Sequence, residues 1–381
     1  MISRLLLALA LVVVMLAGGT STYIYLGSKQ TKVSQAPLKP TATTPRAAAL
    51  NLPGTLYLTQ RGAVYNLSAG RFHQLTSEAG YMQPSLFPDG GNLVIVRQFP
   101  TYSDLYVMNR FGGLVRQLTD NAAPPRAGDI GANHWSFYPR MSADGQTLWM
   151  TYDGLKCSGC YDVSLAVWSM PFGGSIRQAR AWTDGGYYTG GDVQPIPLPG
   201  GGIMYTKYDY ASNIDYRLET KLVSLLWFTN RINSVGRRLT DPGADCRSPS
   251  LSPDGTQIAM ICTYEKQISY LTVASWNGST IGPLKTVISD QLVAQPTWAP
   301  DGSGIAYLAP GVAAGEFQLW FLPRAAFAPP PPPPSPSPTP GGPHNGPLPT
   351  PSPTPPAPPV KPIQITMYSG FDATSTMAWA R

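Results

Sequence analysis

The sequence is poor in charged residues, in histidine and in cysteine. Charged residues make up 13% of its 381 residues, about half the usual share, while 41 prolines and 38 glycines disfavour long helices. This composition excludes a coiled coil and a mainly helical bundle. Four cysteines are too few for a small disulfide-built protein. His73, His134 and His344 lie far apart in the sequence, which disfavours a histidine-rich metal enzyme, so we expect no metal and no cofactor.

The N-terminus carries a signal that directs the chain to a membrane. An uncharged stretch of 23 residues, Leu5–Gly27, follows Arg4, and its most apolar part, Leu5–Ala17, has the length of a signal-peptide core. If residues 1–27 are not cleaved, they are long enough for one transmembrane helix; if they are cleaved, the protein is secreted. Both interpretations stay open, with the single-pass anchor preferred. Residues 28–53 are rich in Thr, Ala and Pro and are expected to form a flexible linker.

A repeat of about 50 residues organises the rest of the chain. Each copy has a proline and then a short turn motif, whose second position follows that proline by four residues. The turn motifs are Phe87–Gly90, Ser142–Gly145, Leu198–Gly201, Ser252–Gly255 and Ala299–Gly302, and their preceding prolines are Pro84, Pro139, Pro195, Pro249 and Pro296. Pro, Asp and Gly in this order suit a tight hairpin with a three-residue loop. Leu198–Gly201 is a degenerate copy without the aspartate.

Short apolar segments surround each turn, which predicts four strands per repeat. The fourth strand is expected at Phe72–Thr76, Arg116–Asp120 and Arg238–Asp241. Residues 55–76 hold three strands of one repeat, and Thr374–Ala380 supply its innermost strand, with Thr376 in the proline column. We therefore predict an all-β, six-bladed β-propeller closed by pairing of its N- and C-terminal strands. The blades are expected in 54–326 and 363–381.

The pattern Pro-x-x-Ser-Pro-Asp-Gly-x-x-Ile-Ala at Pro249–Ala259, with Arg-Leu-Thr-Asp at Arg238–Asp241, resembles the TolB-type six-bladed propeller repeat. It is also similar to the propellers of dipeptidyl peptidases. The resemblance implies the fold but no particular function. TolB has an additional N-terminal α/β domain that we do not recognise here, so a role in the Tol–Pal envelope system is not implied. We find no Gly-x-Ser-x-Gly motif of an α/β-hydrolase.

A proline-rich insert, residues 327–362, separates the third and fourth strands of the last blade. Pro329–Pro362 contains 19 prolines among 34 residues, a composition typical of polyproline II or disorder. The simplest interpretation is a solvated loop. A glycosylated or wall-threading spacer, or a ligand for a proline-binding partner, stays open.

The four cysteines form two predicted pairs. If Ser252 pairs with Thr256 across their hairpin, Cys246 and Cys262 face each other on adjacent strands, close enough for a disulfide in an oxidising compartment. Cys157 and Cys160 fall in a loop, where a bracing disulfide is more plausible than a redox or zinc site.

Five residues are candidates for a ligand site at one mouth of the central channel. They lie seven or eight residues ahead of the turns, where the chain enters the innermost strands: Tyr81, Trp135, Asp192, Asp245 and Asp372. Aromatic and carboxylate side chains suit a cation or a sugar, but aspartate also caps loops by bonding its own backbone. We assign no catalytic residue.

The net charge of +6 and pI of about 9.0 favour anionic neighbours over neutral ones. Because the bulk of the chain is expected outside the cytoplasm, no nucleic acid is expected. The partner is expected to be an envelope or cell-surface protein or an anionic wall polymer, with the membrane contacted through the N-terminal helix. The preferred function is a non-catalytic binding scaffold. The alternative is a glycan hydrolase or lyase that uses Asp192, Asp245 and Asp372.

Overall fold

The computed structural model describes residues 52–123, 131–156, 163–232, 234, 236–264, 268–311, 316–328, 360–367 and 369–381. These residues form six four-stranded antiparallel sheets, which confirms the predicted six-bladed propeller. Helix is confined there to one short α-turn, Ala211–Ile214, and three 3-10 turns. No helix of the described residues is long and apolar enough to cross a membrane. The predicted N-terminal helix, Cys157, Cys160 and most of the proline-rich insert lie outside these residues.

The blades are numbered in chain order, beginning with the blade that contains both ends of the described chain. Within each blade the strands are given from the channel outwards. Blade 1 consists of β24 (Ala378–Ala380), β1 (Thr55–Gln60), β2 (Ala63–Ser68) and β3 (Arg71–Gln74). Blade 2 consists of β4 (Tyr81–Leu86), β5 (Asn92–Gln98), β6 (Ser103–Asn109) and β7 (Leu114–Gln117). Blade 3 consists of β8 (Ser136–Met141), β9 (Thr147–Tyr152), β10 (Ala166–Pro171) and β11 (Arg180–Ala181).

The second half of the ring follows the same order. Blade 4 consists of β12 (Asp192–Pro197), β13 (Ile203–Tyr210), β14 (Leu222–Thr229) and β15 (Arg237–Arg238). Blade 5 consists of β16 (Cys246–Leu251), β17 (Gln257–Cys262), β18 (Tyr270–Ser275) and β19 (Lys285–Ile288). Blade 6 consists of β20 (Ala294–Trp298), β21 (Gly304–Pro310), β22 (Phe317–Pro323) and β23 (Ile363–Gln364). Because β22 pairs with β23, the two strands that flank the proline-rich insert are neighbours.

The core lies between adjacent blades, since each sheet is covered on both faces. The second and third strands are therefore almost wholly apolar and buried, whereas the outermost strands Arg71–Gln74 and Leu114–Gln117 are exposed along their length. One apolar cluster joins blade 1 to blade 6 through Leu56, Trp379 and Phe321. Burial of such side chains contributes about 1.5–3 kcal/mol each, so the contacts between blades are a main source of stability.

The two chain ends close the ring in blade 1. Thr55, Leu56 and Tyr57 of β1 pair with Ala380, Trp379 and Ala378 of β24. Strand pairing thus begins later than the predicted Thr374. A turn precedes it, in which the N–H of Ser375 donates to the carbonyl of Asp372 at 3.0 Å. The predicted closure is confirmed for these three residue pairs.

A threonine ends the pairing of the outermost strand in five blades, and in three of them it follows a leucine, here called the Leu-Thr motif. Five threonine hydroxyls accept a hydrogen bond from a third-strand N–H, at 2.9 to 3.0 Å: Val64 to Thr76, Leu105 to Thr119, Val167 to Thr183, Leu226 to Thr240 and Leu319 to Thr366. A side chain thus replaces the backbone ladder at these positions. The fourth strands consequently end at Gln74, Gln117 and Arg238, two or three residues before the predicted ends.

The Pro-Asp-Gly hairpins have four-residue loops, one residue longer than predicted. In the second blade the N–H of Phe87 donates to the carbonyl of Asn92, and the carboxylate of Asp89 accepts from the N–H of Gly91 at 2.9 Å. The turn glycines have positive φ, as Gly90 does at 68°. The degenerate hairpin has glycine in place of this aspartate, and Leu198 bonds to Gly202 across a three-residue loop. The aspartate bond therefore accompanies the longer loop.

Cys246 and Cys262 form a disulfide, with Cα atoms 4.1 Å apart. They pair directly across β16 and β17. Near the turn, however, Ser252 bonds to Gln257 and not to the predicted Thr256. A bulge between Arg247 and Ser250 inserts one extra residue into β16. The extra loop residue shifts the pairing register by one position, and the bulge shifts it back. Counting residues from the predicted turn therefore still pairs Cys246 with Cys262.

Candidate functional site

The innermost strands all begin on one face of the ring, here called the start face. Five of the six lead into hairpins on the opposite face, here called the hairpin face, and β24 is followed there by Arg381. Two of the predicted site residues are aromatic residues of the start face. Tyr81 is 5% exposed, packs with Val64 and Met108 between blades 1 and 2, and lies 5.5 Å from the guanidinium of Arg97. Trp135 is half-buried, and its ring stacks on Phe137 at 5.8 Å.

Two of the predicted aspartates bond to the backbone or to neighbouring hydroxyls. A carboxylate oxygen of Asp245 accepts from the N–H and the hydroxyl of Ser224 at 2.7 and 2.6 Å. Asp372 accepts from the N–H groups of Arg61 and Gly62 at 2.8 and 2.9 Å, at the turn between β1 and β2. In both cases the partner belongs to another segment of the chain and not to the loop of the aspartate itself.

The third aspartate forms a buried ion pair. Asp192 is 1% exposed and accepts from the Lys207 ammonium at 3.1 Å. Burial raises the pKa of Asp192 to about 6, although the Lys207 charge opposes the shift. Asp104, which the sequence reasoning did not select, has a similar environment. It is 2% exposed, and burial raises its pKa to about 6 against hydrogen bonds from Thr119 and Asn121.

The structure does not bring the predicted carboxylates into one cluster. Among the described residues, no three His, Cys, Asp or Glu side chains lie close enough together to hold a metal ion. Asp192, Asp245 and Asp372 begin different blades and bond to different partners. The five residues of the start face therefore remain a prediction of a ligand site.

A cavity of about 1180 Å³ opens instead on the hairpin face. All six blades contribute to its wall, and none of the five predicted residues lines it. Its charged lining residues, within the described part of the chain, are three aspartates of the hairpins and two arginines: Asp89, Asp144, Asp254, Arg140 and Arg381. The hairpins form its rim, and the innermost strands form its wall.

Bulges in the innermost strands shape that wall. The residue before each proline has a left-handed backbone with φ between 50° and 57°: Gln83, Tyr138, Gln194, Ser248 and Gln295. This conformation is costly for residues other than glycine, but it turns backbone N–H groups towards the preceding blade. The N–H of Tyr138 donates to the Gln83 amide oxygen at 2.6 Å, and that of Ser248 donates to the Gln194 amide oxygen at 3.0 Å. Side-chain amides thus join neighbouring blades around the channel.

Arg140 projects a positive charge into this channel. It follows Pro139 in β8, at a position held by uncharged residues in the other blades. Burial lowers the pKa of Arg140 to about 10, and Tyr138 opposes the shift. Its guanidinium makes one long hydrogen bond, 3.4 Å, to the carbonyl of Pro139. No ion pair with a carboxylate of the described residues is formed.

Two hydroxyls lie on the channel wall in the neighbouring blades. Thr376 is 8% exposed, and its hydroxyl has no hydrogen-bond partner within the described residues. Ser85, 4% exposed, follows Pro84 in the blade between Thr376 and Arg140. The sequence reasoning missed all three as site residues, although alignment on the proline column shows an arginine and a threonine that the other blades lack.

The rim aspartates are bound within their own turns. Asp144 accepts from the Ser142 hydroxyl at 2.5 Å and from the N–H of Gln146 at 3.0 Å. Asp254 accepts from the Ser252 hydroxyl at 2.5 Å and from the N–H of Thr256 at 3.1 Å. These hydrogen bonds, the serine bond most strongly, lower the pKa of both carboxyls. The rim is therefore anionic at neutral pH.

No protein-family model matches the chain, and no curated protein matches it. Similar solved structures include TolB from Acinetobacter baumannii, with 15% identity and a TM-score of 0.52 over 72% of this chain and 62% of that protein. They also include a protein assigned as TolB from Agrobacterium tumefaciens, with 12% identity and a TM-score of 0.49 over 71% and 85% of the two chains. A gluconolactonase from Xanthomonas campestris has 13% identity and a TM-score of 0.44 over 69% and 80%.

The match spans less than two thirds of the Acinetobacter protein. At these identities the likeness concerns the fold alone. Together with the six four-stranded sheets, it shows that the chain has a TolB-like six-bladed β-propeller.

Proposed function

We propose that this chain is a non-catalytic binding propeller that holds a protein partner at the cavity on its hairpin face. In this proposal residues 1–27 anchor it to a membrane, with the propeller outside the cytoplasm. The observation that carries the proposal is that the carboxylates of Asp144 and Asp254 at that cavity are hydrogen-bonded within their own turns.

A glycan hydrolase or lyase on the propeller would need a carboxyl group that keeps its proton near neutral pH and contacts the ligand. The rim carboxyls of Asp144 and Asp254 have lowered pKa values. Asp104 and Asp192, whose pKa values are raised, lie buried on the other side of their blades and do not line the cavity. The cavity thus offers a surface for binding more readily than an acid–base pair, and the enzyme alternative has less support.

The size of the cavity favours a segment of a protein over a small ligand. About 1180 Å³ exceeds the usual range of roughly 300–1,000 Å³ for small-molecule pockets. The disulfide Cys246–Cys262 supports an oxidising compartment, and the uncharged stretch Leu5–Gly27 supports delivery to a membrane. An envelope or cell-surface protein fits these conditions.

The proposal is tested by photo-crosslinking of the full chain in the cells that produce it. A photoreactive amino acid is placed at Gly200, on the hairpin face, where a Cβ atom would meet no other atom within 4 Å. The matched control carries it at Val115 in the outermost strand β7, where the side chain is 62% exposed. We expect one discrete crosslinked protein from Gly200 and none from Val115.

Two results would contradict this function. The first is a Gly200 variant that folds and gives no crosslinked protein, or the same set as Val115. The second is turnover of a glycan by the full chain that is lost in Asp192→Asn, which would restore the enzyme alternative.

A further inference from the structure

Three residues with hydrogen-bond donors lie on the cavity wall, and the protein satisfies the donors of two of them, Arg140 and Thr376, poorly. We propose that Arg140, Ser85 and Thr376 bind a carboxylate of a peptide segment that enters the channel from the hairpin face. This inference rests on the proposed function, because it names the chemistry by which the cavity would recognise its protein partner.

The three residues belong to adjacent blades and are held in place by hydrogen bonds between those blades. Thr376 precedes β24 in blade 1, Ser85 lies in β4 of blade 2, and Arg140 lies in β8 of blade 3. Gln83 joins all three strands: its N–H donates to the Ser375 hydroxyl at 2.7 Å, and its amide oxygen accepts from the N–H of Tyr138 at 2.6 Å. All three residues line the cavity. The backbone that carries them is therefore tied together by Gln83 across three consecutive blades.

The donors of Arg140 and Thr376 are poorly satisfied by the protein itself. The guanidinium of Arg140 has five N–H donors in a planar fork that suits a carboxylate, and the structure uses one of them in a bond of 3.4 Å. The Thr376 hydroxyl is buried without a partner in the described residues. A buried polar group without a partner destabilises the folded protein. A bound carboxylate would accept from both groups and offset that cost.

The position of Arg140 has the same consequence. It lines the cavity and is partly buried, and this burial lowers its pKa to about 10, so the surroundings disfavour the charged form. A ligand carboxylate would compensate the charge where the described residues provide no ion pair. Arg381, the other arginine of the cavity, is exposed and bonds weakly to the carbonyl of Pro300 at 3.4 Å.

The distribution of charge selects among anionic ligands. Asp89, Asp144 and Asp254 place three negative charges on the rim, which Arg381 and the Arg324 guanidinium, 3.8 Å from Asp254, offset only in part, while Arg140 lies within the channel. A polyanion would be repelled along the rim. A peptide with one carboxylate at its tip and neutral or basic residues behind it would meet complementary charge at both levels. We therefore favour a peptide over an anionic wall polymer.

The test uses the purified full chain, immobilised, and a synthetic pool of random heptapeptides with free C-termini. A second pool has amidated C-termini, and polyphosphate serves as the polyanion. The variants are Arg140→Gln and Thr376→Val, and Arg116→Gln in the outermost strand β7 is the control for loss of one positive charge. Retained peptides are identified by mass spectrometry, and their affinities are then measured individually.

We expect retention of peptides by the wild-type chain and by Arg116→Gln. Arg140→Gln should weaken the affinity by about tenfold to a hundredfold, the effect of losing a hydrogen-bonded charge partner, and Thr376→Val should weaken it by a smaller factor. Loss of retention on amidation assigns the C-terminal carboxylate. Retention limited to peptides with Asp or Glu assigns a side-chain carboxylate.

The inference is overturned if neither pool is retained, if Arg140→Gln binds as tightly as the wild type, or if polyphosphate binds more tightly than the peptides. If Arg140→Gln does not fold, an unchanged affinity of Thr376→Val overturns it. A specific Gly200 crosslink together with an unaffected Arg140→Gln variant would reject the carboxylate site alone. Absence of the crosslink would reject the proposed function as well.

Discussion

At the scale of single residues, a threonine connects the third strand to the outer edge in five of the six blades. Thr240 is 3% exposed and accepts from the N–H of Leu226 at 2.9 Å. Thr240→Val removes this acceptor and leaves a buried N–H group unsatisfied, so we expect the free energy of unfolding to fall by about 1–3 kcal/mol. The measurement is urea unfolding followed by circular dichroism.

Two further variants make this prediction specific. Thr240→Ser keeps the hydroxyl and should lose less stability than Thr240→Val. Thr280→Val replaces an exposed threonine and should leave the unfolding midpoint within experimental error. Equal losses for the Ser and Val variants of Thr240 would show that packing of the methyl group matters, and not the hydrogen bond.

Asp104 should make stability depend on pH in the sense opposite to most carboxyl groups. Burial raises its pKa from 3.8 to about 6 in the folded protein. As pH rises, the unfolded chain loses this proton near pH 4, before the folded protein does. The stabilising contribution is thus complete below pH 4 and is lost as pH rises to about 6, by an amount of about 3 kcal/mol.

The Asp104→Asn variant stays uncharged throughout this range. Thermal melting from pH 4 to pH 7 should therefore show a larger fall in stability for the wild type than for the variant. Other groups that titrate in this range contribute to both curves alike. Parallel curves would show that Asp104 ionises in the folded protein as readily as in the unfolded chain.

At the scale of strands and hairpins, the disulfide ties the first two strands of blade 5 together. Cys246 and Cys262 are both fully buried, 0% exposed, and close a loop with a sequence separation of 16. The double variant Cys246→Ala, Cys262→Ala should lose about 2–4 kcal/mol of stability, measured by urea unfolding. Dithiothreitol should lower the unfolding midpoint of the wild type and leave that of the double variant unchanged. An equal response of both would contradict a structural disulfide.

The repeat predicts the strands well because apolar second and third strands and Pro-Asp-Gly turns have simple local causes. The bulges are not visible in the same way. Gln83, Tyr138 and Ser248 share no chemistry that favours positive φ; neighbouring blades hold them there through hydrogen bonds to their N–H groups or side chains. The early end of the fourth strands is likewise a matter of tertiary contact, since the threonine of the motif bonds to a different strand.

At the scale of the whole molecule, the sequence predicts the ring but not the cavity on the hairpin face. Column alignment places Asp245 and Asp372 near the opposite mouth, and these side chains bond to neighbouring backbone N–H groups. The cavity opens where the hairpins meet, and its volume depends on how far six blades stand apart. Arg140 is visible in the alignment, but its lack of an ion-pair partner emerges only in three dimensions.

The closure of the ring by its two ends should make the whole molecule depend on one tryptophan. Trp379 in β24 packs edge-on against Phe321 of blade 6, with ring centroids 6.2 Å apart, and its indole N–H donates to the carbonyl of Pro53 at 2.6 Å. It therefore joins the N-terminal segment, the C-terminal strand and the last blade. Trp379→Ala should cost about 3–5 kcal/mol, measured by urea unfolding.

Hydrogen exchange distinguishes a failure of closure from local damage. If the terminal strands hold the ring together, Trp379→Ala should accelerate exchange in β1 and β22, on both sides of the closure, and less in blades 3 and 4. Tyr216→Ala, at a side chain that is 89% exposed, is the control for loss of an aromatic ring and should change neither measurement. Faster exchange confined to β24 would mean that the ring keeps its shape without this contact, because blades 1 and 6 would then be held by the remaining apolar cluster between them.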